Sequence, residues 1–239
     1  MTGCATLAPV PRQPISPEAQ RALGRLEDHR RELSDLRTLA DISVQRGPER
    51  QPLRGVLLAK APASVRFEAL SPLGQPLLLA TIHEGWLTAY DATTNEAYVG
   101  PATAEATGRL LSLPFEPDDL VAILSGHAIP PKDVRVAEML APDALGPSLG
   151  LTGTASRRRI WMDLTTGVVR QVELSGDRRD ARITYQRDGE GRMLGFEVSA
   201  MLSMLRATVR YRNPDFNADI PADLFTFVIP KGAKIQHIR

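Results

Sequence analysis

Turn signals recur about every ten residues along most of this chain, and the segments between them alternate apolar and polar residues. A period of two is the pattern of β-strands, and turns at such regular intervals are typical of one continuous antiparallel sheet. Strands are predicted in two sets, the first between residues 39 and 99 and the second between residues 158 and 229. Together they predict a sheet of about ten strands.

Helices are predicted at the start of the chain and between the two sets of strands. Ser16-Pro17-Glu18 combines an N-cap residue with proline in the first turn, and begins a helix that we expect to end near Asp35. Two short helices are predicted at 102–111 and 117–126, a Pro- and Gly-rich connection at 130–153, and a helical turn at 220–224 before a last strand at 225–229.

A sheet of this size must curl or close, because a flat one would expose long edges. We therefore predict an α+β fold that is mainly antiparallel β: an incomplete, half-open β-barrel of about ten strands, with the middle helices as a lid in its concavity. The 239 residues and 43% hydrophobic content are sufficient for one core, so residues 16–239 are predicted to be a single domain.

Charge and composition exclude several classes of function. The net charge of +1 argues against a nucleic-acid surface, which needs a basic excess. No stretch approaches the roughly 20 apolar residues of a membrane-spanning helix. The four histidines (His29, His83, His127 and His237) lie too far apart in sequence for a metal motif, and there is no nucleotide-binding fingerprint. We expect no metal and no cofactor.

The single cysteine stands in an informative position. Met1-Thr2-Gly3-Cys4 resembles the end of a bacterial lipoprotein signal peptide, in which the cysteine becomes the lipidated first residue of the mature protein. On this interpretation a basic and hydrophobic segment precedes Met1, and residues 1–15, with Pro9, Pro11 and Pro14, are a lipidation site and flexible tether. The alternative is an N-terminal cysteine without a role.

Two regions of the chain, from Leu70 to Gly126 and at 216–230, resemble a known family. Ser71-Pro72-Leu73-Gly74, followed by residues 109–115 (RLLSLPF) and 120–126 (LVAILSG), is similar to LolB-type outer-membrane lipoproteins, and residues 216–230 resemble other members of the LolA/LolB-like group. The resemblance extends from about Arg37 to the C-terminus. It implies an incomplete barrel that encloses an apolar cavity for acyl chains, and a leucine on a loop between strands that contacts the membrane.

That resemblance assigns the membrane contact to Leu73; the alternative is a turn leucine folded back on the core. An exposed leucine gains only about 1.5–3 kcal/mol on entering lipid, enough for contact but not for anchoring. The cavity-lining candidates share apolar character and predicted inward positions: Val65, Phe67, Leu77, Leu79, Trp86, Ile123, Leu124, Trp161, Phe196 and Val198. A filled core would use the same residue types. Met201, Leu202 and Met204 are either core or a rim that meets lipid.

Three functions remain open at this point. The first is a monomeric, outer-membrane-anchored lipoprotein that receives a lipoprotein or other amphiphile from a periplasmic carrier and passes it to the outer membrane. The second is a scaffolding lipoprotein of an envelope or secretion complex without cargo. The third is a hydrolase using Ser148 in Gly146-Pro147-Ser148-Leu149-Gly150, but this motif lacks the predicted strand-to-helix context of a nucleophile elbow.

Overall fold

The computed structural model describes residues 11–111, 115–176, 180–200 and 204–238. Cys4, Met201 and Leu202 therefore lie outside the described residues. The described residues form three α-helices: α1 (Pro17–Arg31), α2 (Ala104–Leu111) and α3 (Pro117–Ser125). None of the described helices combines the length and the apolar character needed to cross a membrane.

The described residues also form fourteen strands of one sheet. Their bounds are β1 (Asp35–Arg46), β2 (Glu49–Lys60), β3 (Ser64–Leu70), β4 (Pro76–His83), β5 (Trp86–Asp91), β6 (Glu96–Pro101), β7 (Val136–Asp143), β8 (Gly146–Thr152), β9 (Ser156–Met162), β10 (Val169–Gly176), β11 (Ala181–Arg187), β12 (Met193–Ala200), β13 (Leu205–Phe216) and β14 (Lys234–His237).

The order across the sheet joins two meanders. Strands β1 to β6 follow one another on one side, strands β7 to β13 on the other, and β13 pairs antiparallel with β1 between them. The short β14 runs parallel to β6 at one edge, and β7 forms the other edge, so the sheet is open. The predicted antiparallel sheet and its openness are confirmed, with fourteen strands instead of about ten.

Two sequence predictions are wrong in detail. The connection predicted at 130–153 contains the hairpin of β7 and β8, because the Pro- and Gly-rich segment alternates well enough to pair as strands. The strand predicted at 225–229 is not formed: Ala222–Phe225 is a 3-10 turn, and the following residues cross the sheet surface without pairing.

Helix α1 begins as predicted. The Ser16 hydroxyl oxygen accepts a hydrogen bond from the Ala19 amide at 3.2 Å, which caps the first turn. The helix ends at Arg31 rather than near Asp35, because Asp35 already begins β1. The buried side of α1 belongs to the main core and consists of Ala19, Ala22 and Leu26. The helix packs beside β7.

Helix α3 defines the two faces of the sheet. It contacts β1, β2 and β3 in the first meander and is hydrogen-bonded to β9 and β13 in the second. Strand β11 donates hydrogen bonds to Gly126 and His127, which directly follow the helix. We call the face that packs against it the inner face. The main hydrophobic core lies there and includes side chains from both meanders.

The opposite, outer face is partly covered by the C-terminal strap, which we define as residues 217–230. Its apolar side chains Ile220 and Phe225 form a small second core with Leu58 of β2. Polar contacts hold the strap in place: the buried Asp35 carboxylate accepts from the Ala218 amide at 2.7 Å, and Lys60 donates to the Ile220 carbonyl at 2.6 Å.

Candidate functional site

Helix α3 lies buried on the inner face of the sheet. All residues from Asp119 to Ser125 are buried, which few short helices achieve because one side usually faces water. Pro117 occupies the first turn, and Gly126 ends the helix with φ +79°. The positive φ favours glycine at this position, and a Cβ there would lie 2.5 Å from the Met193 sulfur, so the Met193 side chain would have to move.

Three side chains of the sheet bind the C-terminal end of α3. The Tyr211 hydroxyl donates to the Leu124 carbonyl, the Tyr185 hydroxyl to the His127 carbonyl at 2.6 Å, and the Arg187 guanidinium to the Gly126 carbonyl at 3.1 Å. Carbonyls at a helix end lack partners within the helix. Burial raises the pKa of both tyrosines, so their hydroxyls stay protonated and act as donors.

A buried ion pair binds the N-terminal half of the same helix. Arg158 of β9 donates to both carboxylate oxygens of Asp119, at 2.6 and 3.2 Å, and also to the Ile129 carbonyl. Both side chains are only 12% exposed. Arg158 points to the inner face, since its neighbours in register are Leu151 and Leu174 of the apolar core side. Asp119 thus neutralises a charge that the apolar face could not otherwise hold.

His127 follows α3 and packs edge-on against His29 of α1, with ring centroids 5.0 Å apart. Burial, with His29, Arg187 and Arg30 nearby, lowers the pKa of His127 to about 3. The imidazole of His127 is therefore neutral at neutral pH. The neutral His127 and the Arg158–Asp119 ion pair limit the net charge at this junction, to which Arg187 contributes a further guanidinium.

Strand register separates the predicted cavity-lining residues into two groups. Six of them lie on the inner face or on α3, where they join or pack against the main core: Val65, Phe67, Ile123, Leu124, Phe196 and Val198. The other four project from the outer face, because alternation along their strands directs their side chains away from α3: Leu77, Leu79, Trp86 and Trp161. For these four the predicted inward position is wrong.

Trp161 shows the reason most clearly. Its neighbours in β9, Ile160 and Met162, take the inner positions, so the indole points outward. It is nevertheless 3% exposed, because the Arg159 guanidinium lies 4.2 Å above the ring and the indole nitrogen donates to Asp143 at 3.0 Å. A large aromatic residue is buried here by polar neighbours rather than by the core.

Leu73 is 88% exposed at the tip of the turn between β3 and β4. Gly74 has φ +80° and donates to the Ser71 carbonyl at 2.9 Å, which closes the turn below the leucine. The alternative that Leu73 folds back on the core is therefore wrong. Met204 lies at the same end of the sheet, where its carbonyl accepts from Gly47, and is 74% exposed. It is not core.

Ser148 lies in the middle of β8 rather than between a strand and a helix. Its side chain is fully buried on the outer face, and its hydroxyl oxygen accepts from Arg159 at 3.1 Å. The strained turn that exposes a nucleophilic serine is not formed at this position. The geometry thus gives no support to the hydrolase hypothesis.

Searches with the sequence match no family model and no curated protein. The fold is similar to several solved structures. One is a domain described as an outer membrane lipoprotein-sorting protein from Vibrio parahaemolyticus, with TM-score 0.62 and 11% identity over 87% of this chain and 97% of that one.

A second is a LolA superfamily protein from Nitrosomonas europaea, with TM-score 0.59, 16% identity and coverage of 87% and 97%. The chain has a LolA-like fold. A DUF1329 family protein from Desulfovibrio piger is also similar, at TM-score 0.57 and 12% identity over 90% and 98% of the two chains. The LolA/LolB resemblance seen in the sequence is thereby confirmed for the fold.

Sequence reasoning missed the residues that hold α3 in this LolA-like fold. Asp119 and Arg158 are 39 residues apart, and each reads as a surface charge in its own segment. Tyr211 did carry a signal, because it alternates in phase with the apolar Leu205, Ala207 and Val209. An inward tyrosine needs an acceptor for its hydroxyl, and this requirement points to the exposed carbonyls of a helix end.

Proposed function

We propose that this protein binds the acyl chains of a lipoprotein or of another amphiphile on the inner face of its sheet, and passes this cargo to the outer membrane. The observation that carries the proposal is a LolA-like fold whose apolar inner face is covered by the buried helix α3, together with apolar side chains of α1 and α2. Acyl chains require apolar walls and few polar contacts. No cofactor or covalent step is needed.

Helix α3 is the element that must move in this proposal. Its apolar side chains, among them Ile123 and Leu124, now contact the inner face that acyl chains would contact. Replacing α3 by acyl chains keeps this apolar surface away from water, so the exchange conserves much of the hydrophobic stabilisation. The three carbonyl contacts and the Arg158–Asp119 ion pair would have to be broken, and they set the cost of opening.

The location of the protein is part of the same proposal. Lipidated Cys4 would anchor the chain to the outer membrane, and residues 5–15 would tether the folded body on the periplasmic side. A periplasmic carrier would deliver the cargo to a monomer. The difference in affinity of the acyl chains for successive apolar environments would drive the transfer.

A scaffolding lipoprotein without cargo is the second candidate. The burial of α3 from Asp119 to Ser125 favours it, because the inner face is filled by a helix that is held at both ends. The two candidates differ in one measurable respect: a scaffold keeps α3 in place, whereas a carrier exchanges it for lipid.

Photo-labelling distinguishes the two candidates. The protein without bound lipid is incubated with a photoactivatable long-chain fatty acid, irradiated and mapped by mass spectrometry. We expect labels at inner-face residues such as Phe67, Phe196 and Val198. Leu79 and Trp86, equally apolar but on the outer face, are the internal control. Labelling confined to those two residues, or none at all, would rule out acyl binding on the inner face.

Release to a membrane is tested through Leu73. We expect Leu73→Glu to slow transfer of a fluorescent lipid to phosphatidylcholine vesicles by about ten-fold or more, because an exposed leucine gains about 1.5–3 kcal/mol on entering lipid. Photo-labelling of the inner face should not change. Leu145→Glu is the matched control, since Leu145 is a 42% exposed leucine in the turn between β7 and β8, at the opposite end of the strands. Equal transfer rates for both variants would remove Leu73 from the mechanism.

A further inference from the structure

A depression of about 1020 Å³ lies beside the turn that carries Leu73. Ser71 and Pro72 of that turn border it, and Leu70 and Leu77 form an apolar part of its wall. Three arginines also line the depression and give it positively charged groups: Arg50, Arg54 and Arg210. An apolar wall next to several guanidinium groups is the surface expected for an amphiphile with a negative headgroup.

Strand register places the three arginines and Asp41 on the outer face. Asp41 of β1 is paired with Arg54 of β2 on one side and with Arg210 of β13 on the other. The outer face is opposite to the face that packs α3. Ile42 and Leu78, which also border the depression, occupy inner-face positions, but the arginines that the inference uses project from the outer face. The inference therefore does not rest on the proposed function.

The arginines outnumber the carboxylates in this depression. The Asp41 carboxylate accepts from Arg212 and, at 3.4 Å, from Arg54, and the hydrogen bond from Arg212 holds its pKa below the usual range. Asp91 lines the depression too, but its carboxylate is bound within its own turn by Thr93.

Two of the arginines have no carboxylate partner within the described ranges. Arg50 donates to the Ser43 hydroxyl at 2.8 Å, which holds its guanidinium against the sheet, and Arg210 has no ion pair there. A guanidinium can bind phosphate oxygens through two parallel hydrogen bonds. Arg50 and Arg210 are therefore positioned to receive an anion that the described part of the chain does not itself supply.

We propose that this depression binds the phosphate headgroup of an anionic membrane lipid. Arg50 and Arg210 contact the phosphate, while Leu70 and Leu77 pack against the glycerol and the first methylenes. The adjoining tip residue Leu73 lies where the bilayer surface would be. An inorganic anion would use the arginines but not the apolar wall, and it is for this reason that the surface is assigned to a lipid.

Vesicle flotation tests the assignment with vesicles of phosphatidylcholine alone and vesicles that also contain phosphatidylglycerol. We expect tighter binding to the anionic vesicles, and a loss of roughly 30-fold in Arg50→Gln/Arg210→Gln, since each arginine near an anionic surface contributes about 1 kcal/mol. Arg21→Gln/Arg25→Gln is the matched control, because it removes the same charge from the exposed side of α1.

Each other outcome overturns the proposal. Equal losses in the two double variants would show an effect of net charge alone, and equal binding of the wild type to both kinds of vesicle would exclude a headgroup site. Displacement by inorganic phosphate but not by chloride at the same ionic strength, without a preference for anionic vesicles, would identify a free-anion site. Inner-face photo-labelling of Arg50→Gln/Arg210→Gln reports separately on the acyl-binding proposal. If the double variant does not fold, Arg50→Gln and Arg210→Gln alone carry the comparison.

Discussion

Replacing Arg158 with methionine is expected to lower the free energy of unfolding by about 3–5 kcal/mol, because it leaves the Asp119 carboxylate buried without its cation. Both side chains of this ion pair are 12% exposed, and the bidentate geometry cannot be reproduced by water in so enclosed a position. Asp119→Asn should cost a similar amount. Chemical denaturation followed by circular dichroism measures both effects.

The double variant Arg158→Met/Asp119→Leu separates the ion pair from the fold. Replacing both charges by apolar side chains of similar size removes the desolvation cost of each, so we expect it to recover most of the lost stability. Arg182→Met is the matched control: Arg182 pairs with Glu173 at 2.7 Å on the outer face, half-exposed, and its removal should cost at most about 1 kcal/mol. A loss for Arg158→Met no larger than for Arg182→Met would refute the ion pair's role.

The same variants report on how α3 opens. If the ion pair holds the helix shut, Arg158→Met should raise hydrogen exchange in residues 117–125 and speed the association of a fatty acid. The double variant should restore slow exchange, because its apolar side chains keep α3 against the sheet. Faster exchange without faster association would mean that acyl chains do not enter beneath α3, and would favour the scaffold.

The sequence was sufficient for the sheet because strands and turns are encoded locally. Alternation in 64–70 and in 205–211 predicts both the strand and the face of each residue, and the structure has these as parts of β3 and β13. The same local information shows which residues are apolar on α3. It does not show that side chains of the sheet bind the carbonyls at the end of that helix, since Tyr185 and Tyr211 lie 58 and 87 residues from the carbonyls to which they donate.

The facing of β4 and β9 could not be derived from their sequences. Both faces of β4 are apolar, so alternation does not distinguish Leu78, which is inward, from Leu79, which is outward. In β9 a tryptophan is ordinarily expected to point to the inner face and an arginine to the outer face. The structure has the reverse: Trp161 points to the outer face and Arg158 to the inner face. Asp119 makes the inward arginine tolerable, and no pattern within β9 reveals that partner.

The strand prediction at 225–229, within the C-terminal strap, failed because a tertiary contact determines the path of this segment. Residues 225–229 are rich in β-formers, but they begin at a buried anchor instead of at a sheet edge. Phe225 is fully buried between Leu58 and Ile220, and its ring lies 6.1 Å from the His83 ring in a stacked arrangement. The aromatic side chain therefore determines the path of this segment.

We expect Phe225→Ala to lower the free energy of unfolding by about 3–5 kcal/mol, the usual cost of removing a fully buried phenylalanine. Arg66 donates to the carbonyls of Leu224 and Thr226 at 2.8 and 3.3 Å, so the backbone around the cavity is held and cannot collapse fully into it. Chemical denaturation gives the free energy of unfolding, and limited proteolysis of residues 217–230 reports on local release of the strap.

Val228→Ala is the matched control, because Val228 belongs to the same strap and is 93% exposed. A Phe225→Ala protein as stable and as resistant to proteolysis as Val228→Ala would show that the strap is held by its polar contacts alone. In that case Asp35, Lys60 and Arg66, rather than the apolar cluster, would keep the outer face of the sheet covered.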